Sequence, residues 1–282
     1  MPELPEVEVL TRHLCPALRG KTIRDVRVHR AKSTRPTSAR ALRGKLVGAK
    51  FISVTRRAKY LIFQLKPPRR EPFTLLGHLG MTGRMYVQPA TAPLPKHAAV
   101  TFGLGCLTFV FEDTRYFGRL TLDLSPLDTL GPEPLSDDFD GTILHAALSR
   151  STQAIKPKLL DQKTLAGVGN IYASEALWRS GISPRRAARR LTHAQCAALA
   201  ASIREVLAEA IACGSTVPLD FAGTARRDRL FYYGSASGTQ GFEERLRVYN
   251  RAGEPCDRCA TAIRKITQAA RSTYFCPQCQ RG

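Results

Sequence analysis

Two cysteine pairs near the end of the chain restrict its fold more than any other feature. Two residues separate Cys256 from Cys259 and Cys276 from Cys279, and sixteen lie between the pairs. Two close thiol pairs at this spacing match a tetrahedral, four-sulfur structural zinc site. The intervening "AIRKITQAARSTYFC" reads as two strands joined by a turn near Ala269–Arg271. Disulfides are the alternative, but Cys15, Cys106, Cys196 and Cys213 are scattered, and an intracellular chain keeps its thiols reduced. Four protein ligands would close the metal's shell, leaving it a folding role and no open position for catalysis. Arg264, Lys265 and Arg271 decorate this arm, a pattern suited to phosphate.

The net charge is +20 over 282 residues, and it is spread evenly. Residues up to Ser149 carry +9 and those from Arg150 carry +11. That distribution argues against a basic tail on a neutral body. A polyanion held between two positive domains, nucleic acid above all, fits better. With 43% hydrophobic and 23% charged residues, a sizeable core is available and wholesale disorder is not expected. The apolar runs are too short to span a bilayer, and no leader pattern opens the chain, so a cytoplasmic, membrane-free protein is expected.

Two textures follow one another. Val7, Leu10, Leu14 and Leu18 share one face of a predicted helix from Pro5 to about Arg19, with Gly20 at its end. Strand-like runs come next: "TIRDVRV", "KFISVTRR", "KYLIFQL", "FTLLGHLG", "HAAVTFGLGCLTFVFED" and "GRLTLDL". The run containing "GLG" reads as a hairpin, and six or more short strands suggest a sandwich or barrel. "SPLDTLGPEPLSDDFDG" reads as a linker, and beyond it the texture is helical. The clearest helix follows Thr192, which forms a capping box with Gln195. Ala200, Ile203, Val206, Leu207, Ala210 and Ile211 make its stripe, and Gly214 ends it.

The chain opens "MPELPEVE". Proline after Met1 permits removal of the initiator, which would leave Pro2 with a free secondary amine. An α-amino group has a pKa of roughly 7.7–8.0, so a neutral, nucleophilic fraction exists at neutral pH. Glu3 is adjacent and Glu6 lies one turn along, so a carboxyl could move a proton beside the nucleophile. Taken alone, the stretch also reads as an ordinary helix start with acids at the positive dipole end.

Longer stretches decide between these. "MPELPEVE", "RRAKYL", "HLGMTGR", "DTRYFG", "LGPEPLSDDF", "AIKPKLLDQKTLAGVGNIYASEALW" and "RSTYFCPQCQ" occur in this order. The chain thereby resembles the formamidopyrimidine-DNA glycosylase family over nearly its whole length. These are base-excision repair enzymes with glycosylase and strand-cutting lyase activities. The resemblance implies an α+β multidomain fold: an N-terminal β-sandwich carrying the first helix, a helical helix–two-turn–helix domain, and a zinc-ribbon β-hairpin. The implied divisions are 1–132 for the catalytic sandwich, 133–150 for a linker and the start of the helical domain, 151–244 for the DNA-binding helices and lesion loop, and 245–282 for the ribbon. The implied partner is double-stranded DNA with an oxidised base or abasic site, bound by a monomer holding one structural zinc.

Roles carry over to matching positions. The resemblance makes Pro2 the nucleophile, Glu3 the acid/base, Glu6 a supporting carboxylate and Lys59 a catalytic-site cation on a flanking phosphate. Met81, Arg115 and Phe117 would fill the space left by an extruded nucleotide. Lys156, Asn170 and Arg271 would contact phosphate, Asn170 from a glycine-rich turn whose N–H groups can cradle an anion. For Lys59 alone a strand-edge charge, and for Met81 and Phe117 alone core packing, are the plainer readings.

One region departs from the family. Where many bacterial relatives have a base-contacting lysine, this chain has Leu219, and the loop over 220–242 is long, with Phe231, Tyr232 and Tyr233 bunched in it. The sequence-based expectation is therefore that ring-opened purines are good substrates and 8-oxoguanine a poorer one. Two alternatives remain at this point: an endonuclease VIII-like enzyme for oxidised pyrimidines, and a non-catalytic zinc-dependent protein that binds damaged DNA.

Overall fold

The computed structural model describes residues 2–214 and 246–281. Leu219, the stretch 220–242 with its aromatic trio, and Met1 lie outside the described residues. The described chain forms two compact units, residues 2–128 and residues 129–213 with 246–281.

The first unit is a β-sandwich with a helix at its edge. Helix α1 runs Leu4–Leu18, one residue earlier at each end than the pattern predicts, and Gly20 follows with φ +82°. Val7, Leu10, Leu14 and Leu18 are completely buried on one face. Removing four such side chains from water is worth roughly 6–12 kcal/mol as an upper bound, which is ample to fix the start of the chain. Strands β1 (Asp25–Val28), β2 (Lys50–Arg57), β3 (Tyr60–Lys66), β4 (Phe73–His78), β5 (Gly83–Pro89), β6 (Ala98–Gly103), β7 (Leu107–Asp113) and β8 (Arg119–Thr121) form two antiparallel sheets. Their orders are β1-β6-β7-β5 and β2-β3-β4-β8. Phe63 of one sheet meets Phe109 of the other edge-on at 5.8 Å, and Phe51 meets Phe102 at 6.5 Å.

Each predicted strand run contains a strand, and the "GLG" hairpin is present, with Gly105 at φ +95°. Two elements had no sequence signal. Strand β5 pairs with β7 along its whole length, but buries the polar Gln88, so its alternation is blurred. Helix α2 (Ala39–Leu46) buries only Leu42 and Leu46, too narrow a stripe to stand out.

The second unit is helical and ends in a ribbon. Its helices are α3 (Gly141–Leu148), α4 (Ile155–Leu160), α5 (Asn170–Arg179) and α6 (His193–Ala212). Asp140, next to last in the predicted linker, accepts the Ile143 N–H on its carboxylate at 2.8 Å and so starts α3 one residue inside that stretch. Helix α6 begins with the predicted Thr192/Gln195 capping box. Ala200, Ile203, Val206, Leu207 and Ala210 are buried, Ile211 is half-buried at the stripe's edge, and Gly214 follows at φ +82°. The ribbon pairs β9 (Arg264–Gln268) with β10 (Arg271–Phe275) around Ala269 and Ala270, both at positive φ. Among the described residues no helix is long and apolar enough to cross a membrane.

Candidate active site and nucleic-acid interface

The first described residues are buried. Pro2 is buried, Glu3 is 2% exposed and Glu6 is fully buried. Glu3 is the cap of α1, and Glu3 and Glu6 form a reciprocal capping box. In its second half the Glu6 carboxylate accepts the Glu3 N–H at 2.6 Å. Glu6 therefore fixes the backbone on which Pro2 and Glu3 sit.

A second tie reaches the β2–β3 turn. Arg56 is 92% buried at its side chain, donating from Nε to Glu8 at 2.9 Å and from Nη1 to the Ala58 carbonyl at 3.1 Å. Burial pushes the Glu8 carboxyl up, but bonds from Arg56 and Arg12 outweigh it and hold the group below its ordinary range. Ala58 takes φ +53° and Lys59 completes the two-residue turn joining Arg57 to Tyr60. Lys59 is thus at a hairpin tip and only 6% exposed, which removes the strand-edge reading.

His78 lies beside that turn and had no sequence signal of its own, although it begins "HLGMTGR". Its ring packs on Tyr60 at 4.8 Å between centroids. Burial, then the charges of Lys59 and Arg119, lower its pKa to about 4, so it is neutral at pH 7. The Gly80 N–H donates to Nδ1 at 3.1 Å, which leaves the ring proton on Nε2.

Gly80 begins a loop that meets another. It has φ +63°, and a Cβ there would come within 2.6 Å of the Gly118 nitrogen, so the loops approach as closely as backbone allows. Buried Asp113 ties them. Its Oδ1 accepts from Thr82 Oγ1 at 2.5 Å and from the Arg115 N–H at 3.1 Å, and its Oδ2 accepts the Gly118 N–H at 2.7 Å. Met81, Arg115 and Phe117 thereby come together. The Arg115 guanidinium sits 4.8 Å over the Phe117 ring and its Nη1 lies 3.3 Å from Met81 Sδ. Met81 is 44% and Phe117 45% exposed, which excludes core packing for both.

In the second unit, Gly167 (φ +86°) and Gly169 lead into α5 at Asn170, as predicted. Gln162 braces the turn, accepting the Gly167 N–H at 2.9 Å and donating to the Val168 carbonyl at 2.9 Å. Asn170 Nδ2 donates to the Ser272 carbonyl at 3.0 Å and reaches the Tyr249 hydroxyl at 3.5 Å. Lys156 is 1% exposed, and its ammonium donates to the Ser272 carbonyl at 2.8 Å and to Thr273 Oγ1 at 2.9 Å. Both residues therefore hold the strand next to Arg271, which is exposed and opens β10 opposite Gln268. Glu175 anchors the chain entering the ribbon by accepting the N–H groups of Arg247, Val248 and Tyr249 at 2.8, 3.0 and 2.8 Å.

The four ribbon sulfurs lie within 4.8 Å of one another. Cys256 and Cys279 are 3.9 Å apart, and Cys259 and Cys276 3.4 Å, far beyond a disulfide's roughly 2.05 Å. Tetrahedral zinc with bonds of about 2.3 Å requires sulfurs about 3.8 Å apart, so the set fits the metal. Bonds from Thr261 pull Cys259 down to about 6, while burial and the neighbouring sulfurs push Cys279 up to about 12. Four thiolates share this space only around a cation. Trp178 Nε1 donates to Cys256 Sγ at 3.4 Å and orients it. The donor set is that of one structural zinc, with no position left for a substrate.

Three family descriptions match in order along the chain. They are the formamidopyrimidine-DNA glycosylase N-terminal domain over residues 1–120, the formamidopyrimidine-DNA glycosylase H2TH domain over 130–220, and a zinc finger found in FPG and IleRS over 253–282. The formamidopyrimidine-DNA glycosylase of Carboxydothermus hydrogenoformans is 38% identical over 100% of both chains. That of Dechloromonas aromatica is 41% identical over 99% of this chain and 100% of its own. Among solved structures, Lactococcus lactis Fpg with DNA containing an abasic site superposes with a TM-score of 0.85 at 33% identity, covering 99% of this chain and 100% of its own. MutM with DNA containing carbocyclic 8-oxo-G gives 0.85 at 33% identity over 100% of both. On full-length identity of this size, the chain belongs to the formamidopyrimidine-DNA glycosylase family.

Proposed function

We propose that the imino nitrogen of Pro2, freed by removal of Met1, is the nucleophile with which this base-excision repair glycosylase excises oxidised and ring-opened purines and then cuts the strand. The observation behind this is the buried chain start. Termini are ordinarily loose and carboxylates ordinarily exposed, yet Pro2, Glu3 and Glu6 are all buried and helix-locked. Such ordering suits a group that must meet a reacting carbon within a fraction of an ångström.

Glu3 donates a proton as the deoxyribose ring opens. The Pro2 nitrogen bonds to C1′, the bond from C1′ to the base breaks, and the base leaves with a proton. The resulting iminium acidifies C2′–H. Loss of that proton expels the 3′ phosphate, and a second elimination expels the 5′ phosphate. Water then releases the sugar fragment from Pro2, and a one-nucleotide gap with phosphates at both ends remains.

The other residues act around this step. Lys59 and the Nε2–H of His78 serve the flanking phosphate. Met81, Arg115 and Phe117 occupy the space of the extruded nucleotide. Asn170 and Arg271 take backbone phosphates, and Lys156 supports them, its ammonium being bonded into the ribbon. Residues 1–132 carry the chemistry, 133–150 connect, 151–244 and 245–282 hold DNA, and the enzyme works as a cytoplasmic monomer on nucleoid DNA. Neither the pyrimidine-specific nor the non-catalytic alternative is favoured, since the full-length relatives are formamidopyrimidine-DNA glycosylases.

Borohydride trapping tests the proposal. With a duplex carrying a formamidopyrimidine, 8-oxoguanine or an abasic site, reduction should link the methionine-free protein covalently to DNA. N-terminal acetylation should abolish both the link and strand cutting. Undiminished cutting after acetylation overturns the role of Pro2.

A further inference from the structure

A groove of about 880 Å³ opens in the second unit, lined by the loop after α5 and by the base of the ribbon. Arg185, Arg186 and Arg190 come from the loop, Arg264 and Arg281 from the ribbon, and Phe275 contributes an apolar surface. Among the described residues no carboxylate side chain lines it. Among the described residues, the acids near these elements are paired elsewhere, with Arg179, Arg247 and Arg251. Gathered like charges repel, and an anion in the groove relieves that repulsion.

The walls are fixed without any ligand. Gln280 accepts the Cys276 N–H at 2.8 Å and donates to the Ile182 carbonyl at 3.0 Å. Gln268 donates to the Pro184 carbonyl at 3.2 Å. The Arg185 guanidinium sits 5.4 Å from the centre of the Phe275 ring. Arg186 donates from Nη2 to the Arg190 carbonyl at 3.1 Å, while its Nε is buried without a partner. Guanidinium groups held in this way lose little freedom on meeting phosphate.

We propose that this groove binds the phosphodiester backbone of the duplex that carries the lesion, outside the contacts made at the ribbon tip. The inference rests on the reading of this chain as a DNA-repair enzyme. A single small anion would engage one or two of five guanidinium groups, whereas a run of phosphates engages them all, and Arg matches phosphate in a two-point fork. Arg264 pairs with Phe275 at the metal end of the same ribbon on which Arg271 pairs with Gln268 at the tip. Four strand steps separate the two ends by roughly 13 Å, about four nucleotides along one strand. Binding through phosphate alone is independent of base sequence and steeply dependent on salt.

The test is the combined variant Arg185→Glu/Arg190→Glu/Arg281→Glu, checked for zinc content and helicity. Anisotropy titration of an undamaged duplex of about 40 base pairs should show affinity at least tenfold weaker at low salt. The slope of log K against log salt should fall by about 2–3, at roughly 0.9 per phosphate lost. Single-turnover excision from a lesion duplex too short to reach the groove should stay within twofold, and borohydride trapping should persist. Unchanged affinity and slope would mean a merely solvated basic face and overturn the proposal. So would an equal loss of excision on the short duplex, which would place the groove in the lesion site itself, or displacement by inorganic tripolyphosphate with no effect on DNA. If the triple variant does not fold, Arg190→Gln/Arg281→Gln should lower the slope by about 1–2, and no change there sinks the idea equally. Failure of wild-type trapping with the slope difference intact would instead defeat the catalytic reading alone.

Discussion

The start of α1 and the base of the ribbon solve the same problem in opposite ways. Each crowds groups that water would ordinarily solvate, the buried carboxylates of Glu3 and Glu6 in one and four thiols within 4.8 Å in the other. The ribbon gathers its ligands from two short stretches and closes them around a metal, so nothing is left to react. The helix start is held by hydrogen bonds and an ion pair, Glu6 to the Glu3 N–H and Arg56 to Glu8 and Ala58, and the function proposed above has its Pro2 nitrogen do the reacting. Saturated coordination makes a scaffold. Organisation without saturation makes a site for chemistry.

Stripping the metal tests that contrast most severely. Zinc binding to finger peptides is worth roughly 10–16 kcal/mol, so chelation should unfold the ribbon and weaken duplex binding by orders of magnitude. Hydrogen exchange should show the sandwich still protected, and loss of protection there would erase the distinction between the regions. Next in size, Glu3→Gln should lower excision by about 10²–10⁴-fold with DNA affinity kept, since the amide still caps the helix but cannot shuttle a proton. A parallel fall in affinity would make Glu3 a structural residue like the cysteines.

Acid should loosen the first unit through His78. Its folded pKa of about 4 lies below the unfolded value of 6.5, so the unfolded chain binds more protons between those values. The contribution is full above pH 6.5 and is lost as pH falls toward 4, about 3 kcal/mol in all. Thermal melts of the wild type and His78→Asn across this range should differ in slope, and identical slopes would remove His78 from the account. The smallest effect is expected from Glu6→Ala, about 1–2 kcal/mol from the lost cap, with Glu6→Gln restoring most of it because an amide oxygen still accepts. A drop in excision larger than the stability change would mean that Glu6 also takes part in the proton transfers.

Legibility in the sequence followed the same divide. The ribbon was readable because its ligands are close in sequence and thiol spacing has few other uses. Helix α6 was readable because Thr192, Gln195 and a regular stripe agree. Pro2 and Glu3 gave only an ambiguous helix start until longer stretches were considered. His78, Asp113 and Tyr249 were invisible, since their importance lies in partners tens of residues distant or on another strand. Lys156 read as a phosphate contact, and only the fold shows it buried against Ser272 and Thr273.

Asp113 has a consequence of its own. By clamping both loops it holds Met81, Arg115 and Phe117 as one preassembled cluster, which in the role proposed for them makes a finished probe. A probe already built spends no ordering entropy at each encounter, so every base step can be tried and abandoned quickly. The protein can then afford brief visits to sound DNA, where a loop that first had to settle would dwell.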